Sequence, residues 1–233
     1  MAADYAFEFE IKRSRRRKTL CLQIREGQVQ VMVPARTPER QIKALLDKHT
    51  PWIHRKLREQ AARPAATPKA YVQGEIYTYL GLGYRLKIVQ GPPWPAERVG
   101  GDLVVTLPAR LADGARQAKV KERLCEWYRQ AALEEFQART QCYSRRLGVA
   151  PSTVKVKSYK RRWGSCSARG EISYNWRLII APGPVVDYVA AHEVAHLIQH
   201  NHSPDFWRLV AGLMPDFRRQ QAWLNEFGGT LAI

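Results

Sequence analysis

The 233 residues can bury a sizeable core as one large domain or two small ones, and 38 Lys plus Arg against 21 Asp plus Glu give a formal charge of +17. That balance favours nucleic acid, phosphates or other acidic partners, or serves solubility. No signal-like apolar core opens the chain and no run reaches the roughly 18 apolar residues of a membrane span, so no membrane partner and a cytoplasmic location are expected. Cys21, Cys125, Cys142 and Cys166 include no C-x-x-C pair, are too sparse for a disulfide framework and read as reduced thiols. Nothing in the composition fixes the oligomeric state.

In chain order, alternating or β-rich stretches at 6–12, 19–25 and 28–33 predict three strands, the last two joined by a hairpin at Glu26-Gly27. The basic run from Lys12 to Lys18 falls between the first two and suits either a solvated connection or an acidic partner. Residues 38–62 read as helix, in two pieces because Thr50-Pro51 can cap one helix and start the next. A Pro- and Ala-rich connector follows at 62–70, then strands at 75–80, 83–89 and 102–107, separated by Gly81-Leu82-Gly83 and by GPPWP at 91–95. Residues 1–110 thus read as a β-rich N-terminal domain with a helical insertion at about 38–62, and nothing in it looks catalytic.

The remainder, 111–233, opens with an amphipathic helix from 115 to 147, stopped by Gly148. Strands are expected at 153–158, 171–174 and 176–181, interrupted by KRRWGSCSARG, so that a sheet edge lines a cleft. In that interruption Arg161, Arg162 and Trp163 offer cations and a flat apolar face to a substrate. Their alternative is a core Trp163 with solvated cations. Cys166 reads as a small buried thiol or as an inhibitory or fourth metal ligand.

The next helix begins near Pro184 and is apolar nearly all round, yet it contains H-E-x-x-H at His192, Glu193 and His196. Positions four apart share a helical face about 6 Å apart, so both imidazoles reach one ion, while Glu193 stands beside it without being forced to ligate. Three titratable residues in a buried helix cost several kcal/mol without partners, and a metal supplies those partners. A catalytic zinc takes three protein ligands, and His202 is the third candidate, brought back by a turn in which Asn201 takes a left-handed cap conformation. His200 competes, but one turn along the face it belongs at the rim. Ser203-Pro204-Asp205 starts another helix.

RRWGSCS, the G-x-I-x-x-N stretch of Gly170, Ile172 and Asn175, the D-Y-V-x-x-H-E-x-x-H helix and N-H-S-x-x-F-W together resemble the YgjP-like, SprT-related zinc metallopeptidases, most specifically over residues 155–224. The resemblance implies an α+β fold in which a zincin-like catalytic domain, its metal site on a central buried helix, follows the β-rich part. It implies zinc on His192, His196 and His202, with Glu193 as general base.

The expected reaction is hydrolysis of a polypeptide by metal-activated water, with Tyr174, Asn175 and Arg162 as candidates for stabilising the oxyanion. An alternative is pyrophosphohydrolysis of a nucleotide, using zinc, Mg2+ or Mn2+ and the cations Lys155, Lys157, Lys160, Arg161 and Arg162. A third is a nucleic-acid-associated protein or protease, favoured by charge but lacking any finger, helix-turn-helix or aromatic RNA-binding signature.

Overall fold

The computed structural model describes residues 5–25, 27–62, 64–92, 94–112 and 114–233. Glu26 of the expected hairpin, Arg63 of the connector and Pro93 of GPPWP lie outside the described residues. The chain divides into two compact units, Met1–Arg63 and Pro64–Ile233.

In the first unit, strands β1 (Phe9–Ser14), β2 (Cys21–Arg25) and β3 (Gln28–Pro34) form a sheet in the order β1-β3-β2, with β1 parallel and β2 antiparallel to β3. Every second residue of β3 faces inward, and Val29, Val31 and Val33 share a core with Ile42, Leu46 and Ile53 of helix α1 (Glu39–Ala61). Helix α1 is one helix rather than two. Pro51 lies inside it, Thr50 Oγ1 donates to the Leu46 carbonyl at 2.9 Å, and Leu46 and Ile53, on either side of the proline, are anchored in the same core. That common burial outweighs the missing amide.

The second unit holds a four-stranded sheet in the order β4-β5-β7-β6, from β4 (Ile76–Tyr79), β5 (Leu82–Gln90), β6 (Glu97–Val99) and β7 (Asp102–Leu107). Strands β4 and β5 are joined through Leu80 and Gly81, both at positive φ (50° and 82°), the conformation of a two-residue hairpin turn. The turn sits where the Ile179 carbonyl accepts the Leu80 amide at 2.7 Å, and a Cβ on Gly81 would stand 2.9 Å from Pro182 Cα. The sheet is thereby tied to the entry of the H-E-x-x-H helix. Inward residues of the sheet (Tyr77, Leu86, Leu103, Val105) share one core with the helices that follow, so the division expected after residue 110 does not occur there.

Helix α2 (Ala115–Leu147) is the spine of this unit, and ends on left-handed Gly148 (φ 67°). Val120, Leu124, Tyr128, Ala132, Phe136 and Thr140 are all buried, one every four residues. Each step of four advances the stripe about 40° round the helix, so one helix serves successive partners on different sides. Those partners are β7, then β8 (Thr153–Lys157) and α3 (Gly183–Ala195). Strands β8, β9 (Gly164–Cys166) and β10 (Glu171–Asn175) form a second sheet, β8-β10-β9, with β10 parallel to β8 and antiparallel to β9. The apolar run 176–181, expected as a strand, is instead a 3-10 helix, Trp176–Ile180, because Asn175 caps it by accepting the Arg177 amide at 3.3 Å. Helices α4 (Pro204–Leu213) and α5 (Phe217–Phe227) complete the unit. No helix among the described residues is long and apolar enough to cross a membrane.

Candidate active site

Helix α3 carries Val185, Val186, Val189, Ala190, Ala191, Val194 and Ala195 at 4 % exposure or less. It is enclosed because α2, α4 and α5 all pack on it. His192 lies in its last turn and His196 caps its end. Beyond the cap the backbone tightens, with the Leu197 and Ile198 amides on the carbonyls three residues back. Asn201 does not take the left-handed conformation expected of it. Its side chain makes the turn instead: Oδ1 accepts the Ser203 amide at 3.1 Å and Gln199 Nε2 at 2.9 Å. Gln199 also donates to Ser203 Oγ, the N-cap of α4.

This turn returns His202 to the helix. One ring nitrogen from each of His192, His196 and His202 lies within 4.8 Å of the others, and Nε2 of His192 and Nε2 of His202 are 3.1 Å apart. Two nitrogens at about 2.05 Å from a tetrahedral ion stand about 3.3 Å apart, so the pair is spaced for a shared cation. His196 Nδ1 pairs with the Gln199 carbonyl at 3.0 Å, which leaves Nε2 for the cluster and fixes the ring's orientation. Burial, reinforced by the neighbouring imidazoles, pushes His192 down to about 3, and burial also lowers His196. Both are therefore neutral near pH 7, the form that ligates. His200 is exposed and outside the cluster, and Cys166 is not part of it either. Burial, and then the Glu193 carboxylate, push the Cys166 thiol up to about 11, which makes it inert rather than reactive.

Aromatic rings hold the imidazoles. Phe206, fully buried, stacks on His196 with centroids 4.4 Å apart, and Trp207 stacks on His202 at 5.7 Å and on Phe217 at 5.3 Å. The F-W pair of the sequence motif thus packs Phe206 against all three imidazoles and Trp207 against His192 and His202, a role that spacing alone did not reveal.

Glu193 is 4 % exposed and its Oε2 has no hydrogen-bond partner among the described residues. Burial pushes its carboxyl up to about 8, against the opposing pull of the Arg162 cation. Strand β9 lies directly on it: a Cβ on Gly164 would stand 2.6 Å from Glu193 Cγ and 2.7 Å from Cδ. Gly164 is required by this close approach.

The remaining candidates divide between core and rim. Tyr174 is fully buried, stacks on Phe136 at 4.1 Å and shares a 2.8 Å hydrogen bond with Thr140 Oγ1, so its hydroxyl is engaged in the core. Asn175, 2 % exposed, is engaged too: its amide donates to the Trp163 carbonyl at 2.8 Å and its Nδ2 to the carbonyls of Tyr159 (3.1 Å) and Arg162 (3.4 Å). It shapes the loop at 159–163. Trp163 is half-buried, with its ring 2.9 Å from where a Gly228 Cβ would be, while Arg161 and Arg162 are exposed.

Three converging imidazoles, an enclosed carboxyl whose Oε2 has no partner among the described residues and a glycine that keeps a strand against it suit a hydrolytic metal centre. Among curated proteins none matches the chain. Among solved structures, the crystal structure of the metallopeptidase zymogen of Pyrococcus abyssi abylysin matches with 21% identity and a TM-score of 0.36, over 38% of this chain and 90% of that one. The family model described as YgjP-like, metallopeptidase domain, matches residues 18–227. Spanning nine-tenths of the sequence and every side chain of the cluster, that match makes the chain a member of the YgjP-like metallopeptidase family and a hydrolase.

Proposed function

We propose that the protein is a zinc-dependent peptidase in which His192, His196 and His202 hold the ion and Glu193 is the general base. The observation that carries this reading is the convergence of three imidazoles beside a buried, unpartnered carboxyl. Zinc in this donor set supplies Lewis acidity to a water and to the scissile carbonyl. Glu193 takes the proton of the attacking water and returns it to the leaving amine. Gly164 holds Glu193 in place from the β9 side. Because β9 is an edge strand, its free backbone groups suit an extended polypeptide laid beside the cluster. With Tyr174 engaged in the core and Asn175 in the loop, neither of these two candidates is available to the oxyanion.

A second reading, hydrolysis of a nucleotide phosphoanhydride, draws on the exposed cations of the 157–162 segment. Three imidazoles suit zinc better than Mg2+ or Mn2+, which supports the peptidase. Protein loaded separately with zinc, Mg2+ and Mn2+ should cleave unfolded polypeptide with zinc alone and leave nucleoside triphosphates intact. The reverse pattern would replace the first reading by the second.

A further inference from the structure

We propose that the loop at 159–163 makes the cleft selective for polypeptides with Asp or Glu close to the bond that is cut, with Arg162 as the receiving group. The inference rests on the peptidase reading. Between Val156 and Gly170 the sequence contains Lys157, Lys160, Arg161, Arg162 and Arg169 and no acid. Some cations of this unit have acidic partners: Lys155 pairs with Glu171 at 3.2 Å, Lys119 with Glu122 at 2.8 Å and Arg139 with Asp187 at 3.1 Å. Among the described residues Lys157, Lys160, Arg161 and Arg162 form no ion pair, and all four are exposed. Crowded like charges favour an anion from outside.

Arg162 is distinguished by its place. It lies two residues before Gly164, the position on β9 where an added Cβ would collide with Glu193. Its guanidinium stands over the Tyr159 ring at 5.5 Å, and Tyr159 is itself tied to Ser165 Oγ at 2.8 Å. Asn175 fixes the carbonyls of Tyr159, Arg162 and Trp163. A guanidinium on a fixed platform, beside the reacting position and without a partner, is arranged to take a planar carboxylate with two parallel hydrogen bonds. The cations are strung along one loop instead of surrounding a nest of backbone amides, an arrangement that suits a side chain on an extended peptide better than a polyphosphate.

The test uses full-length, zinc-loaded Glu193→Gln protein, which binds without turnover, and labelled unstructured peptides that differ only in Glu, Gln or Lys beside the central bond. Anisotropy should show the Glu peptide binding at least tenfold more tightly than the Gln peptide, and the Lys peptide more weakly than either. Adding Arg162→Gln should bring the Glu-to-Gln ratio to within about threefold, and Arg162→Lys should restore part of it. Equal affinities for the three peptides, or a ratio that survives Arg162→Gln in a protein of unchanged melting temperature, would overturn the proposal. So would a nucleoside triphosphate that binds more tightly than every peptide and is lost with Arg162. Wild-type hydrolysis of unfolded polypeptide separates the two levels: cleavage without the ratio sinks the selectivity alone, whereas no cleavage sinks the peptidase reading.

Discussion

Helix α1, and helix α3 together with its C-cap, each carry two histidines and show what distinguishes a chemical helix from a structural one. In α1, His49 and His54 are five apart and half-buried, packed edge-on against Trp52 and Phe7. One face of α1 meets the sheet and the rest is wet, so a polar side chain there finds water at no cost. In α3 apolar side chains face every direction and neighbours enclose most of them, so His192 and Glu193 keep buried polar atoms that no group among the described residues satisfies. Among the described residues, spacing of four, enclosure and a third imidazole from the following turn occur together only at the end of α3. A histidine pair becomes informative when its surroundings leave it without water.

The largest effect expected from this contrast is on turnover. Glu193→Gln should lower kcat by about 10³-fold or more while zinc stays at one equivalent, since the amide fills the same space under β9 but takes no proton. Full activity in a zinc-replete variant would remove Glu193 as base. Next come the ligands. His192→Ala, His196→Ala and His202→Ala should each weaken zinc binding by at least 100-fold, read by competition with a chelator, whereas His49→Ala with His54→Ala should leave it unchanged. Zinc loss in the α1 variant would erase the distinction drawn above.

Phe206→Ala should cost about 3–5 kcal/mol of stability in denaturant unfolding, the range for a fully buried phenylalanine, and loosen zinc as His196 loses its stacking partner. Gly164→Ala should lower kcat at least tenfold with zinc retained, because the added methyl and the Glu193 carboxyl require the same space. Wild-type rates in that variant would show that β9 does not hold the base. The smallest effect is that of His49→Ala on stability, about 1 kcal/mol or less, the worth of one edge-on aromatic contact.

Patterns of local origin were legible before any fold was known. Helix α2 has the bounds that its apolar spacing and Gly148 predict, and the H-E-x-x-H spacing with His202 identified the three imidazoles that the fold brings together. What escaped depends on partners distant in sequence. The run 176–181 is apolar and short, a pattern common to strands and buried helical turns, and the Asn175 cap decided between them. Tyr174 looked available for chemistry because nothing local shows that Thr140, 34 residues earlier, holds its hydroxyl. The unit boundary fell at 63 instead of 110 because the inward tyrosines and leucines of β4, β5 and β7 belong to the core of α2. Composition cannot tell which core a strand joins.

Asn175 grips the loop at 159–163 entirely through main-chain carbonyls, those of Tyr159, Arg162 and Trp163. The side chains at 160, 161 and 162 are therefore free to vary without unmaking the path of the backbone that bears them. A lineage or an engineer can exchange the charges at 160 and 161 while Gly164 goes on pressing Glu193 into position. Evolvability here comes from one buried amide that holds the frame and leaves the lettering open.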